Sequence, residues 1–129
     1  MRTPLFDYQL AVIGSGPSGQ RAAIQAAKLG KSVAIIERAR SVGGICVNFG
    51  TIPSKTFREA VMHLSGYRER GIYGSSYRVK QDIVIEDLLF RVDQVVRSEI
   101  DVIRNQMARN RVELIEATAT FVDPHLLEL

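Results

Sequence analysis

Gly14-Ser15-Gly16-Pro17-Ser18-Gly19 is the segment that most restricts what this chain can fold into. It fills the pattern G-x-G-x-x-G. It lies between an apolar run, Tyr8–Ile13, and an alanine-rich stretch from Pro17 to Leu29. A buried strand that ends on a glycine turn and opens a helix is the context this pattern requires. Each glycine has a physical task there. Gly14 permits the tight turn, Gly16 lets a pyrophosphate approach the backbone with no Cβ in the way, and Gly19 lets the helix lie close on the strands. The helix start presents free N–H groups and the positive end of its dipole to the phosphates. Ser15, Pro17 and Ser18 share the turn and read as further contributors of backbone N–H groups.

The following residues complete a βαβ unit. Gly30 stands just past the helix as its C-cap. Ser32–Ile36 is a second buried strand, and Glu37 closes it. An acidic residue about 20 positions after the glycine turn is the pattern's ribose ligand. A carboxylate there accepts hydrogen bonds from ribose hydroxyls and repels a 2′-phosphate. An ADP moiety without that phosphate is therefore expected. Arg38, next in the chain, is a candidate neighbour of the adenine or a solvated charge.

Beyond this unit, Arg38–Gly50 reads as a loop holding Gly43, Gly44 and Gly50, and Pro53 suits the first turn of a helix that runs to about Leu64. Gly66–Lys80 reads as an exposed connection. A long amphipathic helix follows, from about Glu86 to Asn110. Its apolar residues recur at threes and fours, and Leu89, Val92, Val96, Ile103 and Met107 are the expected packing face. Val112–Ile115 is a third strand. Ala117–Val122 and Leu126–Leu129 form a short hairpin around Asp123-Pro124. The expected fold is α/β: a partial Rossmann-like doubly wound parallel sheet with a long helix and a C-terminal hairpin. The chain stops inside an apolar segment and reads as the front part of a larger protein.

Composition excludes several classes. Seventeen Lys and Arg against fourteen Asp and Glu give a net charge of only +3, with signs interspersed, so a nucleic-acid partner is not expected. No apolar run is long enough to span a membrane. Met1-Arg2-Thr3-Pro4 lacks the apolar core of a signal peptide. One cysteine forms no intrachain disulfide and fits a reducing compartment, here taken as the cytoplasm. One cysteine and two distant histidines, His63 and His125, make no metal site. His63 reads as structural and His125, after Asp123-Pro124, as a turn residue.

A second motif narrows the choice of dinucleotide. Gly43-Gly44-Ile45-Cys46-Val47-Asn48-Phe49-Gly50-Thr51-Ile52-Pro53-Ser54-Lys55 resembles the active-site segment of the pyridine nucleotide-disulfide oxidoreductases. The resemblance extends over essentially the whole chain. It implies that the dinucleotide is FAD, that NAD and NADP are substrates of the parent protein, and that the parent is a homo-oligomer. It implies that residues 1–129 are the N-terminal part of an FAD-binding domain. It places Gly43 and Gly44 along the cofactor, Cys46 near the ribityl chain or ring edge, Thr51 against the flavin ring, and Lys55 close to flavin N5. Thr51 and Lys55 are therefore the candidate catalytic residues.

One departure is informative. The family pattern has a second cysteine where this chain has Thr51. A threonine hydroxyl forms neither a thiolate nor a disulfide, so no dithiol relay connects these positions. The sequence Thr51-Ile52-Pro53-Ser54-Lys55 instead resembles the soluble transhydrogenase branch, which implies hydride exchange between NADPH and NAD⁺. Two other readings stay open: a dihydrolipoamide dehydrogenase-like flavoprotein, and a nucleotide-binding module without turnover.

Overall fold

The computed structural model describes residues 6–129, so the Met1–Pro4 stretch lies outside the described residues. Three parallel strands form the main sheet in the order β1 (Leu10–Ile13), β2 (Val33–Glu37), β3 (Glu113–Glu116). Leu10 pairs with Val33 and Ile13 with Ile36, while Ala34 pairs with Glu113 and Glu37 with Glu116. The central strand, β2, is buried at every residue. That explains its unbroken apolar run: a strand covered on both faces and both edges has no solvent side to mark with polar residues.

Helix α1 (Pro17–Lys28) connects β1 to β2. Pro17 starts it, where a missing N–H costs nothing. Gly30, at φ +78°, ends it by donating its N–H to the Ala27 carbonyl. Four helices lie between β2 and β3: α2 (Gly44–Asn48), α3 (Thr51–Leu64), α4 (Arg70–Tyr73) and α5 (Ile85–Arg109). Helices α3 and α5 pack along each other. Helices α1 and α5 meet over one face of the sheet, where Ala23, Ile103 and Met107 close on Val33 and Ile35. The hairpin of β4 (Thr120–Asp123) and β5 (Leu126–Glu128) lies towards the opposite face. There Leu126, Leu127 and Leu129 share a hollow with Ala11, Ala34, Ile36 and Ile115.

Three expectations need correction. The segment read as the loop Arg38–Gly50 contains helix α2, and the connection Gly66–Lys80 contains helix α4. Both helices are a single turn flanked by glycine, too short to show apolar periodicity. On α5, Leu88 joins Ile103 and Met107 in the core, whereas Leu89 is half exposed. Adjacent helical positions differ by about 100°, and here Leu88 lies on the inward side of the stripe while Leu89 lies at its outer edge. No helix among the described residues is long and apolar enough to cross a membrane.

Candidate functional site

The site begins where β1 and β2 leave the sheet side by side. Ile13 pairs with Ile36, so Gly14 and Glu37 emerge together at the carboxyl edge. Gly14 N–H continues the ladder to the Ile36 carbonyl at 2.8 Å. The chain then turns at Gly14, whose φ of +99° suits only glycine. A Cβ built at Gly14 or Gly16 meets nothing within 4 Å, so both positions border open space. A Cβ at Gly19 lies 2.2 Å from the Gly14 carbonyl oxygen and 3.1 Å from Val12 Cγ1. Gly19 is thus set by helix-to-strand packing, as read from the sequence, and Ala23 one turn on is fully buried against the strands.

Gly16 is the N-cap of α1, and no side chain caps the helix. The N–H groups of Ser18 and Gly19 therefore have no partner one turn back and point out of the helix start. Two members of the turn do not act as expected. Pro17 has no N–H to donate. The Ser15 N–H donates to Glu37 Oε2 at 2.9 Å instead of opening onto the cradle.

Glu37 sits at the back of this turn and is only 9% exposed. Its Oε2 accepts from both the Ser15 N–H and the Ser15 hydroxyl, and its Oε1 accepts from the Ala39 N–H at 3.0 Å. Burial acts to raise its pKa. Hydrogen bonds from the Ser15 hydroxyl and from the Ala39, Ser15 and Arg38 N–H groups outweigh it and hold the carboxyl below its ordinary value. Arg38 itself is exposed beyond the strand end.

A second glycine pair closes the cradle from above. Gly43 and Gly44 both have positive φ, +103° and +63°. A Cβ at Gly44 lies 3.0 Å from Gly16 Cα, so the two glycine turns touch backbone to backbone. The Gly43 N–H donates to Ser15 Oγ at 3.0 Å. Asn48 braces the same turn, donating to the carbonyls of Val42 and Gly44 and sharing a hydrogen bond with Ser41 Oγ. Neither the Ser15 hydroxyl nor Asn48 was singled out as a brace from the sequence. Their only signal was a polar residue inside each glycine segment.

Cys46 lies half-buried on α2 as a free thiol. Thr51 is exposed at the first position of α3, and Gly50 before it donates its N–H to the Ile45 carbonyl at 2.7 Å. Lys55 is exposed one turn further along. It lines a crease of about 670 Å³ between α3 and α5, with Glu59, His63, Asp87 and Arg91. The structure therefore gathers Gly14, Ser15, Gly16, Glu37, Gly43 and Gly44 into one cluster. No hydrogen bond among the described residues links Lys55 to it. Ile45 on α2 and Phe49 at its C-cap are 76% and 85% exposed, an apolar surface near Cys46 that the sequence reading did not single out.

The model of the pyridine nucleotide-disulphide oxidoreductase family matches residues 8–128. The chain belongs to that family. Among curated family relatives, it is 60% identical to a soluble pyridine nucleotide transhydrogenase of Mycobacterium bovis, over 94% of this chain and 26% of that protein. It is 38% identical to a protein of the same name from Escherichia coli, over 96% of this chain and again 26% of the relative. Among solved structures, the HOCl-induced flavoprotein disulfide reductase RclA from Escherichia coli superposes with a TM-score of 0.67 at 28% identity. That match covers 89% of this chain and 23% of RclA. The chain thus spans about a quarter of the length of the pyridine nucleotide-disulphide oxidoreductases it matches.

Proposed function

We propose that this chain is the N-terminal part of an FAD-binding domain in a cytoplasmic homo-oligomeric flavoprotein that exchanges hydride between NADPH and NAD⁺. The balanced reaction is NADPH + NAD⁺ giving NADP⁺ + NADH. The observation that carries the reading is the cradle. Gly14 and Gly16 border open space at an uncapped helix start, with Glu37 behind them and Gly43–Gly44 above. This arrangement suits an extended dinucleotide. The α1 N–H groups meet the pyrophosphate, and Glu37 Oε1 keeps lone-pair capacity for a ribose hydroxyl. When bound, FAD supplies a carrier that takes a hydride from one nicotinamide and returns it to another.

This chain's own residues decide which outlet remains. Cys46 is its one cysteine, and Thr51 stands at the second position of the family's redox pair. A disulfide acceptor therefore cannot be reduced through these two residues. Lys55 brings an exposed ammonium to the second turn of α3, where it favours a nearby anionic ligand. The names of the curated relatives support transhydrogenation over the dihydrolipoamide dehydrogenase-like alternative.

The test is an assay of the full-length flavoprotein with NADPH and a spectrally distinct NAD⁺ analogue. Reduction of the analogue without added thiol or disulfide is expected. Reduction of lipoamide or glutathione disulfide, with no transfer to the analogue, would overturn the proposal.

A further inference from the structure

Ser15 is fully buried, and every polar atom it has is engaged. Its N–H and its hydroxyl both donate to Glu37 Oε2, at 2.9 and 2.6 Å. The same hydroxyl oxygen accepts the Gly43 N–H at 3.0 Å, and the Ser15 carbonyl accepts from Gln20 Nε2 at 2.7 Å. One side chain therefore ties together the first glycine turn, the end of β2, and the second glycine turn. These segments are 22 and 28 residues away in the chain. No other side chain of the cluster bonds to both.

We propose that Ser15 is a positioning residue for the dinucleotide: its hydroxyl fixes the Glu37 carboxylate and the Gly43–Gly44 turn in the geometry that receives the adenosine half. The proposal rests on the dinucleotide reading given above. Its physical content lies in the division of labour between the two Glu37 oxygens. Ser15 occupies Oε2 with two donors, while Oε1 receives the Ala39 N–H. Without the hydroxyl, the carboxylate loses one charge-assisted bond and is held by backbone N–H groups alone. The Gly43 N–H loses its acceptor in a buried place, which loosens the turn that touches Gly16.

The charged groups around Glu37 are few. Arg38 follows it in the chain, and Glu116 pairs with it in register on β3; both are exposed. Glu37 is therefore kept ionised chiefly by hydrogen bonds, and half of those that Ser15 supplies come from its hydroxyl. Removing that bond leaves burial acting against fewer donors, which moves the carboxyl pKa upward.

The experiment measures FAD binding to the apoprotein of the full-length flavoprotein, by flavin fluorescence quenching from pH 8 down to about pH 3, below the ordinary carboxylate range. Wild type, Ser15→Ala, Glu37→Gln and the double variant are compared. Ser15→Ala is expected to weaken FAD about tenfold, the scale of one lost hydrogen bond to a charged group. Its acid limb of binding should move to higher pH, because burial then acts against fewer donors. In the Glu37→Gln background the same substitution should weaken FAD less, since the charged acceptor is already gone. Ser15→Cys keeps a weak donor and should fall between Ser15→Ala and wild type; it serves on the same readouts if Ser15→Ala does not fold. Wild-type FAD affinity and an unmoved acid limb in Ser15→Ala overturn the Ser15 proposal and leave the dinucleotide reading standing. A wild-type apoprotein that takes up no FAD overturns both.

Discussion

Gly16 and Gly19 lie in one turn, yet a side chain added at each has a different fate. At Gly19 the new Cβ would sit 2.2 Å from a backbone oxygen, and only a shift of α1 against β1 relieves that. At Gly16 it meets nothing, and φ there is −64°, which any residue adopts. Gly19→Ala is therefore expected to lower unfolding free energy by roughly 2–4 kcal/mol. Gly16→Ala should stay within about 0.5 kcal/mol, and thermal or urea unfolding of both variants checks the contrast. The pattern of three glycines made this division legible from the sequence, because only Gly19 was read as a helix-to-strand packing position. The Ser15 network was not legible. A serine inside a glycine turn is locally unremarkable, and its partners are fixed only when β1 and β2 align at Ile13 and Ile36. Glu37 was legible by position, but its burial and its bonds to Ser15 and Ala39 depend on the same alignment.

At the scale of elements, long periodic segments were read closely and short ones were not. The long helix runs Ile85–Arg109 against an expected Glu86–Asn110, because twenty-five residues repeat the threes-and-fours pattern many times over. Helix α2, five residues bounded by Gly43 and Gly50, offers no such repeat. Its existence depends on Asn48 and on the contact of Gly44 with Gly16. Within α5 the ambiguity fell on Leu88 and Leu89, which differ in burial: 8% against 50% exposed. Ile103, at 5%, and Met107, at 2%, anchor the other end of the same face. Ile103→Ala should cost about 2–4 kcal/mol, and Leu89→Ala less than about 1 kcal/mol, in denaturant unfolding. Equal losses at the two positions would mean that the helix is rotated from the packing described.

At the scale of the molecule, sheet and helices serve one arrangement. Parallel strands deliver Gly14 and Glu37 to the same edge, α1 starts there with an uncapped end, and the α2 segment brings a second glycine pair across the top. Open α/β sheets bind ligands at this carboxyl edge because loops from neighbouring strands diverge there and leave a crevice. The reading of FAD, and of hydride exchange in place of disulfide chemistry, stands on that crevice and on Thr51. The most direct test is the flavin-to-protein ratio of the full-length protein, compared between wild type and Gly16→Val. Valine is accepted by the backbone at this position but fills the space the pyrophosphate needs. The account predicts near-stoichiometric FAD in wild type and almost none in a folded Gly16→Val protein whose melting curve matches that of the wild-type apoprotein. Full FAD content in Gly16→Val would contradict it, because the phosphates would then be held somewhere other than this turn.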